Sequence, residues 1–145
     1  MDTLVNDWQN GFNGFSPAEI VNLYKFLCAY EKIESYRNDE SFKRNYPELS
    51  DKLFAVLDQL SLKLDNCITV VQEELRVKYT SARRTKYIAF LYHFRNAIAH
   101  GRLLKNNNGQ VEIKDFDNTV LTTSGIMDSQ KVDEIIRMMI TQFIL

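Results

Sequence analysis

The sequence predicts an all-α fold: an antiparallel helical bundle of four to five helices, with a small β-hairpin or loop insertion before the last helix. Three observations carry that expectation. Gly and Pro are scarce, at 5 and 2 in 145 residues, which disfavours a turn-rich or all-β design. Apolar residues recur every three or four positions through most of the chain, the spacing of a buried helical stripe. Helix-start signals are sharp, above all Ser16-Pro17-Ala18-Glu19. The length suits one domain over residues 1–145, large enough to bury a core without disulfides or metal.

Residues 1–15, with Trp8, Phe12 and Phe15 among Asn and Gly, are expected to form an irregular arm whose aromatics pack on the body. In the next segment Ser16 can act as N-cap, Pro17 suits the first helical position, and Glu19 can close a capping box. Ile20, Leu23, Tyr24, Leu27, Tyr30 and Ile33 carry that helix to about Arg37. A polar connection from Asn38 to Asn45 leads to Pro47. After it Leu49, Leu53, Leu57, Leu60, Leu64, Ile68, Val71 and Leu75 predict one long amphipathic helix.

Tyr79-Thr80-Ser81 interrupts the pattern, and Thr80 or Ser81 can cap a helix from about Ala82 to His100. Ile88, Leu91, Phe94 and Ile98 face its core side, and Gly101 is placed to terminate it in a left-handed conformation. Leu103-Leu104 and Val111-Glu112-Ile113 flank Asn106-Asn107-Asn108-Gly109, a short hairpin or structured loop. Asp128 or Ser129 caps the last helix, with Val132, Ile135, Ile136, Met139 and Phe143 on its buried side. Cys28 and Cys67 fall within apolar helical patterns and are expected as reduced core residues, without metal-ligand spacing. The first residues lack a basic-then-apolar leader and no apolar run spans a bilayer, so the cytoplasm is the expected location, with no membrane contact.

The net charge of −1 hides a segregated distribution. Between Glu74 and Glu112 there is no acidic residue, while Arg76, Lys78, Arg83, Arg84, Lys86, Arg95, Arg102 and Lys105 are all basic. Both histidines, His93 and His100, fall in the same stretch. A positive zone with an imidazole and a guanidinium at its centre suits a surface that binds or cleaves phosphodiesters. At 100° per residue, His93, Asn96 and His100 lie within about 60° of one another, whereas Arg95 points about 140° away from His100. The guanidinium must therefore bend back, or two subunits must pool their residues around one cleft. The angle favours the second arrangement.

Arg95-Asn96-Ala97-Ile98-Ala99-His100, near the end of a late helix and followed by Gly101, is similar to the Arg-x4–6-His motif of the HEPN superfamily, in which Asn is favoured after the Arg. The resemblance covers the chain from about Ser16 onward, although its specific part is the six-residue motif. It implies a homodimer and a metal-independent endoribonuclease that needs no cofactor. His100 would then act as general base or acid at the ribose 2′-hydroxyl and the leaving group. Arg95 would hold the scissile phosphate, and Asn96 would orient His100 or donate to phosphate. Arg83, Arg84, Lys86, His93, Arg102 and Lys105 would supply further RNA contacts. The resemblance also implies a toxin or defence effector, restrained by an antitoxin or another neutralising protein. Related toxins carry a modifiable tyrosine two residues after the motif histidine; Arg102 stands there instead, which puts that form of control in doubt.

Duller readings stand beside these. His100 next to Gly101 can be a helix C-terminal residue favoured by the macrodipole. The basic run can be a solvated face or a site for an acidic protein, and His93 an ordinary surface or interface residue. The leucine stripe from Leu49 to Leu75 is expected as core, part of it or Phe143-Ile144-Leu145 serving as a dimer seam. A non-catalytic module that binds RNA or protein through the same surface is the alternative to the enzyme.

Overall fold

The structure, a computed structural model, describes residues 14–65, 67–68, 74–78 and 84–144. It corrects the expected all-α bundle to a mixed α/β fold. Among the described residues there are five helices: α1 (Pro17–Tyr30), α2 (Asp39–Asn45), α3 (Pro47–Gln59), α4 (Lys86–Ala99) and α5 (Ser129–Phe143). Five strands, β1 (Lys63–Asp65), β2 (Arg76–Lys78), β3 (Leu103–Lys105), β4 (Gln110–Asp117) and β5 (Val120–Asp128), form one sheet in the order β1-β2-β5-β4-β3. β1 and β2 run parallel, and every other neighbouring pair is antiparallel.

Local signals succeeded where they were strong. Ser16 caps α1 with the full capping box: its hydroxyl accepts from the Glu19 N–H at 3.1 Å, and Glu19 accepts from the Ser16 N–H at 2.8 Å. α1 stops at Tyr30, short of Arg37, and Glu31 to Ser35 form turns. The expected polar connection is partly helical as α2, because Asn38 accepts from the Ser41 N–H and acidic and basic residues complement its two ends. α5 starts after Asp128 and buries Val132, Ile135, Ile136 and Met139 as expected.

The long helix to Leu75 does not form. α3 ends at Gln59, where Ser61 takes a left-handed φ of 55° and turns the chain into β1. Leu64 and Leu75 fit a 3.6-residue period by coincidence; in the fold Val77 and Leu75 are buried around β2 by pairing rather than along a helix. The helix expected from Ala82 begins at Lys86 because its cap is not local. Asp39, far upstream, accepts from the Tyr87 and Ile88 N–H groups at 3.3 and 3.0 Å, while the Thr85 hydroxyl accepts from the Asp39 N–H at 2.7 Å. Thr80, Ser81 and the arm over residues 1–13 lie outside the described residues.

No pattern in the sequence predicts β5. Its residues Leu121 to Gly125 are buried consecutively, so they carry no alternating signature, and β4 with β3 turns the expected insertion into half of the sheet. Gly125 permits close approach of the neighbouring chain: a Cβ there would lie 2.4 Å from the Leu75 Cα. The core joins Leu23 and Phe26 of α1, Leu53 and Leu57 of α3, Phe94 and Ile98 of α4 and Ile135 and Met139 of α5 with Val111, Ile113 and Met127 of the sheet. Cys28 and Cys67 are free but exposed, a correction to their expected place in the core.

Candidate active site

α4 carries the site because one of its faces packs inward and the next lies over the sheet. Ile88, Leu91, Phe94, Ala97 and Ile98 are buried. His93, Asn96 and His100 share the adjacent stripe, and all three line one cavity of about 430 Å³. The other walls come from Lys78 of β2, Arg84 before α4, Asp115, Phe116 and Asp117 of β4, and Thr122 of β5; Ala89 and Tyr92 complete the α4 side. His93 and His100 are seven residues apart, about 10 Å along the axis.

At one end His100 is the C-cap residue of α4, and Gly101 follows with φ 66°, the left-handed terminator expected there. The His100 ring is 51% exposed and its Nδ1 lies 2.9 Å from Oδ1 of Asp115, itself only 2% exposed. A carboxylate accepts, so in the neutral ring Nδ1 carries the hydrogen and Nε2 the lone pair. Nε2 has no hydrogen-bond partner among the described residues.

At the other end the Arg84 guanidinium stacks on Tyr92 with Cζ 3.5 Å from the ring centroid. Neither Arg84 nor Lys78 has a carboxylate partner within 4 Å among the described residues. Burial pushes the pKa of His93 from its ordinary 6.5 down to about 4. The charges of Arg84 and Lys78 push the same way; a backbone hydrogen bond with Lys78 and the charge of Asp117 pull it up. His93 is therefore neutral at pH 7, and the fixed positive charge of this end belongs to Lys78 and Arg84. Its Nδ1 is buried without a partner among the described residues.

Arg95 does not line the cavity. Its Nη1 donates to Asn96 Oδ1 at 3.0 Å, which holds the Asn96 amide from behind. Its charge reaches the buried Tyr30 hydroxyl of α1. Three expected RNA contacts also lie away from the cavity. Lys86 sits 3.7 Å from Asp58, and Lys105 is paired with Glu19, whose carboxyl it holds below the usual range. Arg102 enters β3 with its N–H bonded to the Ala97 carbonyl. Arg83 lies outside the described residues.

Lys78, Asp115 and Thr122 are the site residues that sequence reasoning missed. Lys78 arrives only through the β2–β5 pairing. Asp115 had a signal: in Val111-Glu112-Ile113-Lys114-Asp115 it occupies the third inward position of a period-2 pattern, where an acid demands a partner. The expected acid-free basic zone is thus completed by two carboxylates from β4. Comparison with family models, with curated proteins and with solved structures gives no match.

Proposed function

We propose that this chain is an endoribonuclease that cleaves RNA by attack of the ribose 2′-hydroxyl on the adjacent phosphate. The observation that carries the reading is the Nε2 of His100, without a hydrogen-bond partner among the described residues, on a cavity whose wall also bears Lys78 and Arg84, cations without a carboxylate partner among the described residues. In the reaction Nε2 takes the 2′-hydroxyl proton, the O2′–P bond forms and the P–O5′ bond breaks. The departing oxygen takes a proton from water or from the imidazolium of a second copy, leaving 2′,3′-cyclic phosphate and 5′-hydroxyl ends. Lys78 and Arg84 offset the charge on the phosphoryl oxygens, and Asn96 donates its amide from a position set by Arg95. DNA lacks the 2′-hydroxyl and is bound without cleavage.

Membership of the HEPN superfamily, metal independence, a homodimer and a toxin or defence role under a neutralising partner belong to the same reading and rest on the Arg95-to-His100 motif; action in the cytoplasm belongs to it too and rests on the apolar pattern of the sequence. The mixed sheet departs from the helical bundle in which the sequence pattern placed this motif. One observation favours a non-catalytic RNA- or protein-binding module: Arg95, the first residue of the motif, is spent on Asn96 and does not line the cavity. Among the described residues no helix is long and apolar enough to cross a membrane.

Incubation of the purified chain with end-labelled RNA in EDTA, beside His100→Ala, separates the two readings. Cleavage to cyclic phosphate ends by the wild type alone supports the enzyme. Salt-sensitive binding with no product from either protein overturns it in favour of the binding module. Growth of a bacterial host expressing each form tests toxicity, and equal growth removes that part of the reading.

A further inference from the structure

We infer that Asp115 is the positioning residue of the site: it selects the His100 tautomer that exposes a basic Nε2 to the cavity. The inference rests on the ribonuclease reading for its catalytic consequence, but its structural content stands on geometry alone. Asp115 is almost wholly buried, and a buried carboxylate is tolerated where a hydrogen-bonded or charged partner meets it. The only side chain bonded to that carboxylate among the described residues is His100, at 2.9 Å.

The strand pair is built to hold it. β4 and β5 pair regularly from Gln110↔Asp128 to Asp115↔Thr123, and then the register shifts between Asp115 and Phe116. Phe116 pairs with Leu121, so Thr122 is the residue left over, and its hydroxyl donates to the Asp115 main-chain carbonyl at 3.3 Å. An irregularity of this kind bends a strand and redirects a side chain, and such bulges recur beside active sites. Here the extra residue is Thr122 on β5, so the bend falls directly opposite Asp115, and the Thr122 hydroxyl fastens the Asp115 carbonyl from within the cavity wall.

The consequence is chemical. Without an acceptor at Nδ1, a neutral imidazole is free to place its hydrogen on Nε2, which then cannot accept the 2′-hydroxyl proton. Asp115→Asn keeps the shape of the side chain but brings an amide that can donate to Nδ1, which favours that inactive tautomer.

Two measurements on wild type, Asp115→Asn and Asp115→Ala test this. With ¹⁵N-labelled histidine at neutral pH, the wild-type His100 ring should show hydrogen on Nδ1, and Asp115→Asn should move it to Nε2. With RNA, both variants should lose about 100-fold or more in kcat at little-changed KM, because Lys78 and Arg84 are untouched. An unchanged tautomer in Asp115→Asn, or wild-type cleavage rates in both variants, overturns the inference while leaving the nuclease standing. Absence of cleavage by the wild type overturns the nuclease alone, and the ring-nitrogen spectra then decide the tautomer assignment by themselves.

Discussion

Replacing His93 by glutamine should remove an acid-driven loss of stability worth about 2 kcal/mol between pH 7 and pH 5. His93 has a folded-state pKa of about 4 against 6.5 ordinarily, chiefly because its ring is withdrawn from water between α4 and the sheet. Between those two values the unfolded chain binds a proton that the folded chain refuses. Stability therefore falls as pH drops through that window, and the loss is complete below the folded value. At about 1.36 kcal/mol per unit the complete loss is roughly 3 kcal/mol, of which about 2 has accrued by pH 5. That is a large share of the roughly 5–15 kcal/mol of a domain this size.

The assay is urea unfolding of wild type and His93→Gln across that range, read as the difference between the two proteins. Other titrating groups, Glu19 among them, then cancel. The wild type should lose ground to the variant as the solution is acidified. A difference that stays level from neutrality to about pH 4.5 would refute the claim that burial holds His93 neutral. It would also add a third positive charge to the cavity wall, beside Lys78 and Arg84, once the solution is acid.

Arg84→Ala and Lys78→Ala should each weaken RNA binding and lower the slope of log K against log salt by about 0.7, the value for one lost single-strand phosphate contact. Unchanged slopes would remove both residues from the interface. Asp39→Ala should cost about 1 kcal/mol and speed amide exchange at Tyr87 and Ile88, whose N–H groups it accepts; protection that persists would show that α4 is capped elsewhere. Gly125→Ala should cost about 1–3 kcal/mol by pushing β5 away from Leu75, seen as a lower unfolding midpoint. Phe94→Ala, which removes a fully buried ring in edge contact with Phe26 at 5.2 Å, should cost about 3–5 kcal/mol by the same unfolding assay.

What the sequence determined by itself is what neighbours along the chain can enforce. Ser16 and Glu19 close a capping box four residues long, Gly101 ends α4, Asp128 precedes α5, and the helical repeat aligns His93, Asn96 and His100 on one stripe. Each depends on contacts within a turn or two, and the residue types specify them directly. The sheet, by contrast, was decided by pairing between distant segments. Leu64 and Leu75 are compatible with either period, and the consecutively buried Leu121 to Gly125 of β5 carry no alternation, so only the register of β2, β4 and β5 settles their fate. The same physics divides the site. Its histidines and asparagine were legible on one helix, but Lys78 and the Asp115 carboxylate come to His100 and Arg84 only when the strands close beneath α4. Such long-range contacts leave no fixed spacing in the chain.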